Sequence, residues 1–329
     1  MRIALVTPAG PGTRSGNRHT ALRWAAFLRR AGHRVEVSVQ WTPDSRIDAM
    51  LALHARRSYP SIKTFSSDRL LVVALTGTDV YRDIHESAEA RESLELADRL
   101  IVLQPKALDE LPRHLRKKTC VVVQSSATRL RHAPVKGRFR ICVIGHLRAE
   151  KDPMRTLAAL SHIDVPVEVI HLGAALDPAL EEQARHARDP RYRWLGEVPH
   201  GRALQWLASS HAMVISSRME GGANVVCEAL RIGVPVLASR ISGNVGLLGS
   251  RYPGYFPLED EKALARLVER AAADAAFYRR LKRLVRAQRA AVSPAHEARA
   301  LLAALAGAAS RRAPKQPRRS GKHRDEKPI

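Results

Sequence analysis

The chain of 329 residues has few cysteines, few aromatics and too few acids to balance its bases. Cys120, Cys142 and Cys227 stand apart with no paired spacing, which argues against a disulfide framework or a zinc site, and they are expected to be buried small hydrophobes. Aromatics make up 5% of residues, and no RNP, helix-turn-helix or finger pattern is present, so a specific nucleic-acid partner is not expected. No apolar run approaches the roughly 20 residues that span a bilayer. The stretch from Met1 to Pro8 reads as a first strand in place of a signal peptide, so the expectation is a cytoplasmic protein with no membrane span. The loop from Gly10 to Asn17 carries its third glycine one residue late for a dinucleotide fingerprint, and Gln40 stands where a ribose-binding acid would end the second strand. An NAD enzyme is thereby disfavoured. Walker A and Asp-x-Asp sequences are both missing, so phosphate is expected to meet Lys, Arg and helix ends, with no metal and no cofactor.

Bases are abundant: 55 Lys or Arg against 32 acids give a formal net charge of +23. From Ser310 to Ile329 eight bases face two acids, so that stretch carries +6 and leaves +17 elsewhere. The segment 308–329 is nearly free of apolar residues and is expected to be a disordered basic tail, able to bind anions weakly and non-specifically. Other arginines, such as Arg279, Arg280 and Arg283, spread over helix faces as solvated surface. Their summed potential favours small anionic substrates.

Strand patterns alternate with helices. The first half offers strands at Arg2–Thr7, Arg34–Gln40, Ala49–His54, Leu70–Thr76, Arg99–Gln104 and Thr119–Gln124, with a helix over 18–31 whose apolar face is Leu22, Ala25, Leu28 and Ala31. The charged, Pro- and Gly-bearing stretch from Arg129 to Gly137 interrupts the rhythm, which restarts at Arg140–Gly145 and continues at Val167–Leu172, Tyr192–Leu195, Ala212–Ser216 and Val234–Ala238. Helices fill the chain after Asp260, the last amphipathic one over Pro294–Leu305. This implies an α/β protein of two doubly wound Rossmann-like domains facing across a cleft, with domains at 1–132 and 139–307, a linker at 133–138 and the tail from 308.

Between a strand and a helix, Ser216 to Leu230 sets Glu220 and Glu228 eight positions apart around Gly221 and Gly222. Asn224 is expected to cap the helix, whose N–H groups then face an anion together with Ala223 and Val225. Glu228, one turn in, offers two oxygens to vicinal ribose hydroxyls, and Glu220 faces a sugar. Cations and hydroxyls gather at strand ends in the first half: Gly16, Asn17, Arg18 and Arg14 in the first loop, His54, Arg56 and Arg57 after the third strand, Thr76, Gly77 and Thr78 after the fourth. Neighbouring arginines on a strand extension point oppositely, so one of Arg56 and Arg57 belongs to the surface.

The segment Gly145-His146-Leu147-Arg148-Ala149-Glu150-Lys151, followed by Glu220-x7-Glu228, resembles family 4 of the GT-B glycosyltransferases. In that family the first motif reads Gly-Arg-Leu-x-x-x-Lys and its cations hold a donor diphosphate. The resemblance assigns Lys151 to the diphosphate, Glu220 to the donor sugar and Glu228 to ribose; His146 replaces the family's Arg, with Arg148 as the substitute cation. A narrower resemblance, carried by residues 7–18, 53–58 and 74–81 and by Gly145 to Arg148, is to the selenosugar synthases of that family. It implies selenophosphate as the acceptor of a sugar from UDP-glucose or UDP-N-acetylglucosamine, then Se–P hydrolysis, with His54 or Asp79 placing the water. Two alternatives stay open: a family 4 transferase with a carbohydrate, lipid or thiol acceptor, and a non-catalytic sugar-nucleotide or RNA binder.

Overall fold

The computed structural model describes residues 1–13, 15–65 and 68–312, so Arg14 and the basic stretch beyond 312 lie outside the described residues. Strands β1 (Arg2–Val6), β2 (Arg34–Ser38), β3 (Ala49–Leu53), β4 (Leu70–Leu75), β5 (Arg99–Val102) and β6 (Thr119–Val121) form one sheet. A second holds β7 (Phe139–Ile144), β8 (Val167–Leu172), β9 (Tyr192–Trp194), β10 (Ala212–Ile215), β11 (Val236–Ser239) and β12 (Tyr255–Phe256). Every pairing between these strands is parallel. The first eleven answer to the apolar runs read in the sequence; β12, at two residues, is too short to leave a periodicity.

Central strands are apolar on both faces because helices cover both: all five residues of β3 and all six of β4 are buried. At the edge, β2 alternates exposed and half-buried residues. The sheets differ in order. The first runs β2-β1-β3-β4-β5-β6, with its switch point between β1 and β3; the second runs β12-β11-β10-β7-β8-β9, with its switch between β7 and β10. Loops leave in opposite directions at such a point and open a crevice at the carboxyl ends of the strands.

Three expectations need correction. Helix Gly16–Arg30 buries Ala21, Trp24, Ala25 and Leu28, a clean i, i+3, i+4, i+7 stripe, whereas Leu22 is 45% exposed, because Trp24 fixes the rotation of the helix. The last helix runs Pro294–Arg312, past the expected end at Leu305 and into the segment expected to be tail. It also belongs to the other domain: Leu301, Ala304, Leu305 and Ala308 are buried with Ile3, Leu5, Trp24 and Val72 of the first. The chain therefore crosses between domains twice, at 122–138 and near Val292, and the crossings touch through Ser126 N–H donating to the Val292 carbonyl at 3.2 Å. Val123 and Leu130 already pack on the second core, so the crossing begins ahead of the expected boundary at 132.

Candidate functional site

Both switch points open on one cleft of about 790 Å³ between the domains. On the second-domain wall, β7 delivers Gly145, His146, Arg148 and Lys151, and β10 delivers Glu220 to Asn224 with Val225 and Glu228. Each is placed by a local device. The amide of Ala174 donates to His146 Nδ1 at 3.0 Å, which puts the ring proton on Nε2. Buried His171 donates from Nε2 to the Gly145 carbonyl at 3.2 Å and accepts the Tyr192 hydroxyl at Nδ1 at 2.7 Å; burial pulls its pKa down to about 4, so it is neutral. Gly173 has φ +151° and a Cβ there would stand 2.1 Å from the Gly145 oxygen, so only glycine admits the β7 loop.

Lys151 Nζ donates to Glu220 Oε1 at 2.5 Å, and Ser217 Oγ donates to the same oxygen at 2.6 Å. Glu220 is buried and Lys151 22% exposed, so the pair is fixed at the wall with the ammonium still reaching the cleft. The helix starting there spans Asn224–Ile232, and its capping residue is Ala223, with no side-chain cap. This corrects the expected Asn224 cap: Asn224 is the first helical residue and its Oδ1 instead accepts Arg23 Nη2 at 3.3 Å. The helix end, with Asn224 and Val225 on the cleft, presents uncapped amides where the macrodipole is positive. Glu228 accepts His200 Nε2 at Oε1 at 2.7 Å, and that contact raises the His200 pKa.

The glycine pair does more than admit a ligand. A Cβ on Gly221 would meet the Gly77 nitrogen and the Thr76 carbonyl at 2.6 Å, and one on Gly222 would meet Leu103 Cβ at 2.5 Å. These glycines let the domains approach each other.

From the first domain Gly16, Asn17, His54, Thr76, Gly77 and Thr78 line the cleft, while Arg18, Arg56 and Asp79 do not. Arg56 pairs with Asp83 at 3.1 Å, and Arg57 takes the place on the cleft. The cause is His54, whose φ of +75° puts a left-handed turn directly after β3 and breaks the strand alternation. Asp79 is fully buried; its carboxylate accepts the amides of Thr76 at 2.9 Å, Gly77 at 2.7 Å and Ala55 at 3.1 Å, tying the β3 and β4 loops together. The Arg57 amide donates to His54 Nδ1 at 3.3 Å, leaving Nε2–H to face Thr78 Oγ1 at 3.2 Å. Burial lowers the His54 pKa, so the ring is a neutral donor that orients the Thr78 hydroxyl.

Sequence reading missed Arg23, His19, Thr20 and His200 on the cleft. Gly16, Thr20 and Arg23 share one face of their helix, a polar stripe beside the apolar one, and that spacing was the usable signal. Among the described residues no group of three or more His, Cys, Asp or Glu is placed to hold a metal ion, and no helix is long and apolar enough to cross a membrane.

Comparison with known proteins agrees with the two-domain fold. Residues 138–274 match the family model described as Glycosyl transferases group 1. Sucrose-phosphate synthase from Thermosynechococcus elongatus superposes with a TM-score of 0.75 at 17% identity, covering 94% of this chain and 99% of that one. Anabaena HepE in complex with UDP-glucose gives 0.75 at 16% identity, over 93% and 100% of the two chains. A glycosyltransferase from Rickettsia africae gives 0.71 at 12% identity, over 94% and 98%. The chain has the GT-B fold, two Rossmann-like domains facing across a cleft, and its second domain is similar to the group 1 glycosyl transferases.

Proposed function

We propose that the protein is a glycosyltransferase that takes the sugar of a UDP-sugar, UDP-glucose or UDP-N-acetylglucosamine, and transfers it to selenophosphate. The observation that carries the transferase reading is the Lys151–Glu220 pair beside an uncapped helix end at the switch point of the second sheet. Helix amides and Lys151 would take the diphosphate, Glu228 the ribose hydroxyls and Glu220 the donor sugar. As the bond from the anomeric carbon to the UDP oxygen breaks, negative charge grows on the diphosphate, where the ammonium and the helix end stabilise it. Glu220 keeps Lys151 oriented.

Support for a small anionic acceptor comes from the first-domain wall, where Arg57 and the Thr78 hydroxyl line the cleft beside His54. Selenium of the bound selenophosphate attacks the anomeric carbon, a C–Se bond forms and UDP leaves. Water then cleaves Se–P to give phosphate and the selenosugar. Neutral His54 acts here by setting Thr78, while Asp79, out of reach of the cleft, fixes the loop that carries it. Purified enzyme incubated with a UDP-sugar panel and selenophosphate should yield a product with the selenium isotope pattern and one UDP per turnover. UDP release with a sugar, lipid or thiol acceptor but no selenium product would move the acceptor assignment and keep the donor one. Failure to bind or turn over any UDP-sugar would defeat both.

A further inference from the structure

One cation on the cleft is unaccounted for by the motifs of the second domain. Arg23 lies 20% exposed on the first-domain helix Gly16–Arg30, and its Nε donates to Glu297 Oε2 at 2.8 Å. Glu297 is fully buried on the C-terminal helix. Its Oε1 accepts Trp24 Nε1 at 2.7 Å and its Oε2 also accepts Ser125 Oγ at 2.5 Å. A buried carboxylate with every donor in place fixes the guanidinium far more firmly than an exposed pair would. The other end of the fork reaches across the domain boundary, Nη2 donating to Asn224 Oδ1.

That position is electrostatically odd. A cation beside the positive end of a helix is repelled by it, and here Ala223 at the cap position offers the helix amides no side-chain acceptor while the Asn224 side chain turns to Arg23. Glu297 balances the guanidinium from behind, and the helix end in front has no side-chain cap. Arg23, Lys151, Asn224 and Val225 line the same cleft, so an anion held there would meet donors from both domains. We propose that Arg23 is a diphosphate-binding residue delivered by the first domain, held in place by Glu297, which supplies the second cation that His146 does not. The exposed Arg148 at the rim is fixed by no such partner. The consequence is that the nucleotide phosphates, and not only the acceptor, join the two domains, with the C-terminal helix as the support of that contact.

The inference rests on the donor reading above, and paired titrations separate the two. Wild type, Arg23→Gln and Arg23→Lys are titrated calorimetrically with UDP and with uridine. Arg23→Gln should weaken UDP binding roughly 10- to 100-fold, the effect of losing charge-assisted bonds, and leave uridine binding unchanged; Arg23→Lys should recover part of the loss. Glu297→Gln, which keeps side-chain size and the Arg23 charge, should lower the UDP-to-uridine affinity ratio more mildly. If Arg23→Gln does not fold, Arg23→Lys carries the same readout, since it keeps the charge but not the fork. An unaltered ratio in the variants with wild type still binding UDP overturns the role of Arg23 alone. Equal losses for UDP and uridine overturn it too, by showing a general collapse of the site. A wild type that binds no UDP overturns the donor reading and this inference together.

Discussion

The two domains line one cleft from sheets of six strands each, and they use charge differently. On the second-domain wall the acids face the cleft and hold a base there: Glu220 with Lys151, Glu228 with His200. On the first-domain wall the acids lie beneath the surface. Asp79 gathers backbone amides, Asp83 gathers Arg56 and Arg82, and Glu297 gathers Trp24, Ser125 and Arg23. The second wall thus presents ionised side chains directly, while the first presents hydroxyls and guanidinium groups on loops ordered from behind. A wall of the first kind draws its charged groups from one domain, between Gly145 and Glu228. The second kind has to be assembled from four loops and a helix nearly three hundred residues away.

The largest test of that contrast is removal of the borrowed helix. Ending the chain after Ser293 strips Glu297, Leu301, Leu305 and Ala308 from the first core and leaves Trp24 Nε1 without its buried acceptor. Loss of each buried Leu alone costs about 2–5 kcal/mol, against a total stability of roughly 5–15 kcal/mol. The first domain should lose cooperative unfolding while the second keeps it, as hydrogen exchange resolved by segment would show. Ending the chain after Arg312 is the counterpart and should leave the melting curve and turnover unchanged. A first domain that melts cooperatively without the helix would return the second crossing to the second domain.

Next in size is Lys151→Ala. Loss of a preorganised charge at the leaving group should lower kcat by about 100- to 1,000-fold with a smaller change in KM. Arg57→Ala on the opposite wall should instead raise the acceptor KM and spare the donor KM. UDP-release kinetics with each substrate varied in turn measure both, and a donor effect from Arg57 would erase the division between the walls.

Glu228→Ala is expected to weaken UDP by about 1.5–3 kcal/mol, the value of charge-assisted bonds to ribose. Uridine should weaken in parallel, because the contact is to the sugar. Calorimetric affinities for UDP equal to wild type would remove Glu228 from the nucleotide.

The smallest effect is a difference in acid sensitivity. His171, neutral with a pKa near 4, binds its proton less readily than the unfolded chain does, so its stabilising effect is full above the ordinary histidine range and is lost as pH falls towards 4. At pH 5 the loss is about 2 kcal/mol. His132, against the Ser210 carbonyl of the second domain, is pulled to about 4 by burial as well, whereas His54 is the one buried neutral histidine shown for the first domain among the described residues. The second domain should therefore loosen first between pH 7 and 5 by segment-resolved exchange, and His171→Gln should reduce the gap. Domains that loosen together would show that their shared contacts, not their own histidines, set the acid limit.

The alternation of β1 to β11 with helices was legible because a strand buried on both faces needs an unbroken apolar run, and such runs survive in any context. The second-domain wall was legible for a related reason: Gly145 and Lys151, and Glu220 and Glu228, sit in two short motifs at the ends of strands, although the contacts that hold them come from farther along the chain. Elsewhere local rules were insufficient. Choosing Arg57 over Arg56 required the left-handed backbone at His54, and the burial of Asp79 required amides from two loops. Glu297 did leave a trace, as one carboxylate in line with Leu301, Ala304, Leu305 and Ala308 on the apolar face of its helix. Such a group needs buried donors, but the sequence does not name them.

By itself, then, the sequence determined two parallel α/β units and named the cation, acids and glycines of one wall, since apolar runs and short strand-end motifs are written in consecutive residues. Tertiary structure alone decided that the last helix completes the first domain, that Gly221 and Gly222 bring the domains into contact, and that Arg23 meets Asn224 at the mouth of a helix. These are contacts between groups distant in sequence, whose energies exist only once burial and distance are set by the packed fold.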